Sequence, residues 1–226
     1  SGMIKPNMAT MLSFLATDVN VTKDCLDEIK DRALKKSFNR IVVDGDTSTN
    51  DSFLLISTCK ANNSIINNKD SKEFKVLENE ITKVCCNLAQ AIVRDGEGAT
   101  KFISIVVEEG KDEAECLSVA YKIAQSPLVK TAFTASDPNW GRIIAAIGNA
   151  NVGRLDTTKV NIHINNVCVV DGGERSKTYT EEEGKKAMME DEIILKVSLK
   201  RGACCEEVWT TDLSHEYIKI NSEYRS

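Results

Sequence analysis

The residue best suited to nucleophilic chemistry in this sequence is Thr10, which follows the small residue Ala9. A threonine hydroxyl inside a chain is a weak nucleophile. If the Ala9–Thr10 peptide bond is cut, the new α-amine of Thr10 can act as the base for its own hydroxyl. The Ala-Thr step therefore raises the hypothesis of an N-terminal threonine nucleophile.

A second feature with chemical potential is the string Gly96-Glu97-Gly98, in which one acidic residue stands between two glycines. Flanking glycines let the backbone turn sharply and project the carboxylate, which could then pair with an amine. The segment matches neither a complete P-loop nor a dinucleotide-binding fingerprint. Spacing alone leaves two interpretations open, an amine-binding carboxylate and a solvated turn.

Two further strings leave their roles open. In Asp137-Pro138-Asn139-Trp140-Gly141-Arg142, Arg142 could bind a carboxylate or serve an interface, and the alternative is a capped helix start. At the C-terminus, residues 217–221 alternate apolar and polar side chains, which predicts a strand. A strand there would tie the end of the chain down and bring Asn221 and Ser226 within reach of a site.

Composition excludes several classes of function. The 226 residues carry a net charge of −5 and no basic run, which argues against nucleic acid and anionic membranes as partners. The apolar runs are too short for a membrane span, and no signal peptide opens the sequence. Eight cysteines without a C-x-x-C pair, only two histidines and an incomplete calcium loop at Asp44-Gly45-Asp46 predict no metal site. Buried free thiols in a reducing cytoplasm fit this cysteine usage.

The elements that must position these residues follow from the apolar periodicity. Apolar residues at helical spacing predict helices at residues 21–36, 73–94, 112–125 and 179–189, and an Asp or Ser cap with Pro138 predicts another helix start at 136–138. Strands are expected at 11–17, 40–43, 101–107, 193–199 and 207–211, with a hairpin about Asn165-Asn166. Residues 53–57 are ambiguous, and the polar residues before them favour a helix. The mixture predicts an α/β fold with a mixed sheet.

Taken together, the strings resemble the ornithine acetyltransferase family of arginine biosynthesis. The similar segments are residues 2–12, 44–51, 96–100, 126–132, 137–142 and 219–226, which stand in the family's order and span essentially the whole chain. The resemblance implies a layered αββα-like sandwich with mixed sheets, typical of N-terminal-nucleophile enzymes. It also suggests a larger catalytic part and a smaller C-terminal part that meet near residues 150–160.

The resemblance implies a specific activity. Family members are made as a precursor that cuts itself at an Ala-Thr bond, here Ala9–Thr10, so that residues 1–9 end the α chain and residues 10–226 form the β chain. Thr10 would take the acetyl group from N-acetylornithine and pass it to glutamate by a ping-pong mechanism. Glu97, Asn221 and Ser226 would bind substrate together with Thr10. No cofactor is implied, although some members also use acetyl-CoA as the acetyl donor, and the residues do not decide this.

The same resemblance implies a partner. The family's α half supplies the oxyanion hole and a substrate-binding lysine, and neither is found in these residues. An oxyanion donor is typically worth about 10²–10³ in rate, so this chain is expected to be inactive without an α chain. The implied assembly is an α2β2 heterotetramer.

Two other functions compete with this interpretation. A related amidase or aminopeptidase would use the same nucleophile with water as acceptor, and a non-catalytic subunit would not use Thr10 at all. Acetate release without glutamate would favour the hydrolase, and transfer by a Thr10→Ala variant would rule out the threonine nucleophile.

Overall fold

The computed structural model describes residues 1–4, 11–46 and 51–223. The chain divides into two compact units. The first unit comprises residues 1–2, 42–45 and 93–226, and the second comprises residues 3–41 and 46–92. Residues on both sides of 150–160 belong to the first unit, and a functional division at that point stays a prediction.

The described residues of the second unit form two parallel strands and two helices. Strand β1 (Leu12–Thr17) pairs in parallel with β3 (Ser52–Ser57), and the helices are α1 (Lys23–Lys36) and α2 (Lys72–Arg94), whose last two residues belong to the first unit. In α1 the buried residues recur every four positions, as an amphipathic helix requires; they are Cys25, Ile29 and Ala33. The Thr22 side chain caps this helix by accepting from the Cys25 backbone N–H.

The prediction of a helix at residues 53–57 is wrong, because β3 occupies them. Phe53 is buried while its neighbour Leu54 is exposed, which is the two-residue period of a strand. Such a short apolar run fits either element, and pairing with β1 decides between them. The predicted helix at residues 73–94 is confirmed as α2. Its buried residues follow a helical spacing, whereas Val84 and Leu88 are exposed; the buried ones are Phe74, Ile81, Cys85, Ala89 and Val93.

The first unit contains most of a seven-stranded mixed sheet. Its strands are β2 (Ile41–Val42), β4 (Phe102–Gly110), β5 (Asn161–Ile164), β6 (Val167–Asp171), β7 (Glu174–Arg175), β8 (Glu192–Ser198) and β9 (Cys204–Thr211). Their order is β2-β9-β4-β8-β5-β6-β7. The central strand β4 runs parallel to β8 and antiparallel to β9. The mixed sheet and the hairpin about Asn165-Asn166 are therefore confirmed.

In the described part of the chain, five helices accompany this sheet: α3 (Glu113–Ala124), α4 (Pro127–Thr134), α5 (Trp140–Gly148), α6 (Glu181–Met188) and α7 (His215–Glu223). The expected start at 136–138 is displaced, because Asn139 caps α5 and the helix begins at Trp140. The short helix α4, with Ser126 as its cap and Pro127 in its first turn, was not predicted as a separate element.

The C-terminal segment is a helix and not the expected strand. Residues 217–221 lie inside α7, where the Asn221 side-chain Nδ2 donates to the Tyr217 backbone oxygen one turn earlier, at 3.0 Å. Alternation over only five residues also fits a helix with apolar residues on several sides. The helix still brings Asn221 into contact with Glu97.

Candidate functional site

Two of the predicted substrate-binding residues lie in contact. Asn221 donates a hydrogen bond from Nδ2 to Oε2 of Glu97, with 2.9 Å between the two atoms. The residues are 124 positions apart in the chain, so only the fold brings them together. Asn221 is exposed and Glu97 is partly buried. The pair therefore presents a carboxylate and an amide at the surface of the first unit, a combination that can bind an amine.

Glu97 lies in a turn between the end of α2 and β4. The turn is closed by a hydrogen bond from the Ala99 N–H to the Gly96 oxygen, at 2.9 Å. Gly98 has a φ of +66°, and a Cβ atom at this position would lie 2.5 Å from the backbone nitrogen of Tyr217 in α7. Any other residue would thus meet both a strained backbone and a clash. The glycines of this string let the turn approach the helix closely.

The surroundings of Glu97 are acidic. A Cβ atom added to Gly2 would lie 3.2 Å from Glu97 Oε2 and 3.4 Å from Asp44 Oδ2, so two carboxylates border this glycine. The Glu97 N–H also donates to the Ser1 oxygen at 2.7 Å, which fixes residues 1–2 beside the turn. Two neighbouring carboxylates suit a positively charged amine.

A buried carboxylate stands behind the turn. The Asp212 side chain accepts from the backbone N–H groups of Thr100 and Lys101 and from the hydroxyls of Thr100, Thr134 and Thr211. Burial raises the pKa of the Asp212 carboxyl, but these hydrogen bonds outweigh burial and hold the pKa below its usual value. Asp212 is therefore an anion in the folded protein.

A buried lysine accompanies this carboxylate. Lys130, in α4, donates from Nζ to the Thr210 hydroxyl at 3.0 Å and to the Thr211 backbone oxygen. Burial lowers the pKa of Lys130 to about 7, against the opposing attraction of Asp212 and Asp44. Sequence analysis did not single out Lys130 or Asp212. A lysine inside the apolar string of residues 128–133 was the available signal for the first.

The predicted nucleophile and the last predicted binding residue lie outside the described residues. These are Thr10, with the Ala9–Thr10 bond, and Ser226. The neighbour Met11 is described, and its backbone N–H donates to Oδ1 of Asp51. Helix α7 ends three residues before Ser226.

Arg142 has a structural role in the described contacts. Its Nη1 donates to the Leu128 oxygen at 2.8 Å and to the Thr131 hydroxyl at 3.3 Å, which ties α5 to α4. This geometry favours a tether between two helices over the carboxylate-binding alternative.

The described residues also bear on metal binding, on membrane spans and on the cysteines. Within residues 1–4, 11–46 and 51–223, no group of three or more metal-ligating side chains is assembled. Among the same residues, no helix is both long and apolar enough to cross a membrane. All eight cysteines are free thiols, but only Cys25, Cys85 and Cys116 are buried, so the expectation of generally buried thiols is too broad.

Comparison with known proteins gives one consistent result. The model of the ArgJ family matches residues 1–226. The arginine biosynthesis bifunctional protein ArgJ of Pseudomonas fluorescens (strain Pf0-1) is 52% identical over 226 residues, and its namesake from Psychrobacter arcticus is 51% identical. The alignment covers all of this chain but 56% of each relative, of which it is the C-terminal half.

The solved structures agree with this result. A crystal structure of arginine biosynthesis bifunctional protein ArgJ from Bacillus halodurans superimposes with a TM-score of 0.90 and 35% identity. The match covers 95% of this chain and 100% of that chain. The expected α/β fold with mixed sheets, of the N-terminal-nucleophile type, is thereby confirmed.

Proposed function

Because the chain belongs to the ArgJ family, we propose that it is the C-terminal part of an acetyltransferase that moves the acetyl group of N-acetylornithine to glutamate. The observation that carries the proposal is the family match over the whole chain. The contact between Glu97 and Asn221 adds a site of suitable chemistry. The relatives are named as arginine biosynthesis proteins, which fits this proposal.

The proposed nucleophile is Thr10, released by cleavage of the Ala9–Thr10 bond. The support for this step is the family match, which covers residues 1–226 and so includes the Ala9–Thr10 bond.

The proposed reaction has two acyl transfers. The Thr10 hydroxyl attacks the acetyl carbonyl of N-acetylornithine, and its proton passes to the Thr10 α-amine. The amide C–N bond then breaks, ornithine leaves with that proton on its amine, and an acetyl ester remains on Thr10. The neutral amine of glutamate attacks the ester, its proton passes by way of the Thr10 α-amine to the departing Thr10 oxygen, the C–O bond breaks, and the Thr10 hydroxyl is restored. An ester intermediate divides a difficult amide exchange into two easier steps.

Substrate binding is assigned to Glu97, Asn221 and Ser226. The Glu97 carboxylate, whose Oε2 already accepts from Asn221, would pair with the free ammonium group of N-acetylornithine. Asn221 holds that carboxylate in place and offers its amide oxygen as an acceptor. Ser226 would add a hydroxyl from the end of the chain that follows α7.

The proposed partner is the part of the relatives that this chain does not match, the α chain. Strands β1 and β3 form a two-stranded sheet in the described residues, and such a sheet is marginal by itself. One face of it is exposed and apolar, and it carries Leu12 (70% exposed), Phe14 (66%), Leu54 and Ile56. Phe14 and Leu54 stand opposite each other in the register. An α chain that adds strands and covers this face would complete the sheet, and two copies of the pair would give α2β2.

A second acetyl donor is included in the proposal. The relatives are named bifunctional, and for the second function we propose acetyl-CoA as an alternative source of the acetyl group for glutamate. No resident cofactor or metal is required by the two transfers. The free thiols favour a cytoplasmic location. The net charge of −5 argues against nucleic acid as a partner.

The proposal is tested with the complete protein, produced from a precursor that includes the preceding half. The enzyme is incubated with N-acetylornithine or acetyl-CoA, with and without glutamate, and N-acetylglutamate and acetate are measured. We expect N-acetylglutamate from N-acetylornithine. Acetate release that is independent of glutamate would replace the proposal with a hydrolase.

A matched pair of variants tests the nucleophile. Thr10→Ala should abolish cleavage and transfer, whereas Thr58→Ala, at an exposed position in the second unit, should change neither. Mass spectrometry of the wild type should find a chain that begins at Thr10. Transfer retained by Thr10→Ala would exclude the threonine mechanism and leave a binding subunit.

A further inference from the structure

We propose that Asp212 and Ser214 are positioning residues that hold the Glu97 turn in place for the amine of the substrate. The inference rests on the proposed function, because it gives Glu97 its role in binding. It concerns the connection between β9 and α7, residues 212–214, which will be called the clamp.

The first contact of the clamp is the buried side chain of Asp212. Its Oδ1 accepts from the Thr100 N–H at 2.8 Å and the Lys101 N–H at 3.1 Å, and its Oδ2 accepts from the Thr100 hydroxyl at 2.6 Å. Asp212 is only 2% exposed. Charge-assisted hydrogen bonds in a buried setting are stronger and better oriented than bonds at the surface. The end of the turn is therefore fixed three residues after Glu97.

The second contact lies one residue after Glu97. The Ser214 hydroxyl, which is buried, donates to the Gly98 oxygen at 2.6 Å. The bond is made to the backbone, so it constrains the direction in which the preceding residue projects. The close approach of Gly98 to Tyr217 allows this contact.

The clamp also leads into the helix that supplies the other half of the site. Seven residues after Ser214, Asn221 donates to Glu97 at 2.9 Å. One continuous segment, residues 212–221, therefore contacts the turn at Thr100, at Gly98 and at the Glu97 carboxylate itself. A purely stabilising role for Asp212 would not require the same segment to hold both partners of the functional contact.

The structure offers a matched pair of probes. The hydroxyls of Thr100 and Thr134 both donate to Oδ2 of Asp212, at 2.6 and 2.9 Å, but only Thr100 lies in the Glu97 turn. Thr134 is the last residue of α4. Replacing either threonine by valine removes one hydroxyl of similar geometry from the same carboxylate.

The experiment measures steady-state kinetics of the complete enzyme with N-acetylornithine and glutamate. Ser214→Ala and Thr100→Val should raise KM for N-acetylornithine by about tenfold, on the order of one lost hydrogen bond, with a smaller change in kcat. Thr134→Val should leave KM near the wild-type value. Equal effects of both valine variants would reduce Asp212 to a structural role and overturn the proposal.

A double-mutant cycle with Glu97→Gln asks whether the clamp acts through Glu97. Ser214→Ala should raise KM for N-acetylornithine about tenfold in the wild-type background and change it little in the Glu97→Gln background. Additive effects would overturn the proposal, because they would mean that Ser214 acts elsewhere.

A readout without catalysis separates this inference from the proposed function. Hydrogen–deuterium exchange of a peptide covering residues 96–101 should quicken in Ser214→Ala and Thr100→Val, and stay unchanged in Thr134→Val. If exchange responds in this way but Glu97→Gln leaves KM unchanged, the clamp exists and the binding role of Glu97 fails, so the inference falls with it. If exchange does not respond, the clamp itself is refuted, whatever the enzyme transfers.

Discussion

Replacing the buried lysine by an apolar residue should change how the stability of the protein depends on pH. The pKa of Lys130 falls from the ordinary lysine value of 10.5 to about 7, mainly because the side chain is buried. One pKa unit corresponds to 1.36 kcal/mol, so the proton on Lys130 costs about 5 kcal/mol more in the folded than in the unfolded protein. Lys130→Met removes this cost together with the hydrogen bonds to Thr210 and Thr211.

The sign of the effect follows from the number of bound protons. Between pH 7 and about pH 10.5, the folded protein has released the Lys130 proton while the unfolded chain still holds it. The unfolded state then binds more protons, so the free energy of unfolding rises with pH. Below pH 7 both states are protonated, and Lys130 adds no pH dependence. From pH 7 to pH 9, we expect the wild type to gain about 2 kcal/mol relative to Lys130→Met.

The assay is urea unfolding of the complete enzyme at pH 7, 8 and 9, followed by tryptophan fluorescence. Both tryptophans, Trp140 and Trp209, lie in the first unit, so the signal reports the unit that contains Lys130. Lys122→Met, at an exposed position of α3, is the control for loss of one positive charge. If wild type and Lys130→Met gain stability in parallel from pH 7 to pH 9, Lys130 keeps its proton and the electrostatic reasoning is refuted.

Three other outcomes are expected. Asn221→Asp places a second carboxylate 2.9 Å from Glu97. The lost hydrogen bond and the added repulsion should raise KM for N-acetylornithine by about tenfold. An unchanged KM in steady-state assays would contradict the contact. Gly98→Ala should lower the free energy of unfolding by at least ~2 kcal/mol, because Gly98 has a positive φ and its Cβ would lie 2.5 Å from a backbone atom. The control Gly148→Ala, where an added Cβ meets nothing within 4 Å, should raise the free energy of unfolding by about 0.5–1 kcal/mol. Equal urea midpoints for the two variants would argue against the close approach at Gly98. Phe14→Ser, on the exposed face of β1, should weaken association with the α chain at least tenfold in sedimentation experiments, as expected for a buried aromatic contact. If the variant associates with the α chain as tightly as the wild type does, this face is not part of the partner surface.

The sequence predicted best the elements that are determined by local patterns. The hairpin about Asn165-Asn166 has turn residues between two apolar runs, and the helix at Lys23–Lys36 has a clear apolar spacing and a Thr22 cap. Residues 53–57 and 217–221 were assigned to the wrong elements because five residues cannot separate a period of two from a period of 3.6. Their state depends on tertiary partners, β1 in the first case and the Glu97 turn in the second.

The candidate site was predictable in part. Glu97 stood out because of its glycines, and Asn221 because of the family resemblance, and the structure places them in contact. Asp212 gave no local signal, since its Thr100 partner is 112 residues away and the contact exists only when β9 and the turn are adjacent. Carboxylates often follow a strand, and Asp212 differs from others only in the hydrogen bonds that its side chain accepts.

The way in which the Glu97 turn is anchored has a consequence for enzyme engineering. Asp212 and Ser214 hold the turn through Gly98, Thr100 and the backbone of Lys101, and none of these anchoring bonds uses the side chain of residue 97. The side chain that we propose meets the substrate is therefore separable from the framework that presents it. A library that randomises position 97 alone should retain folded proteins at a high rate and would be a direct route to variants with altered amine preference.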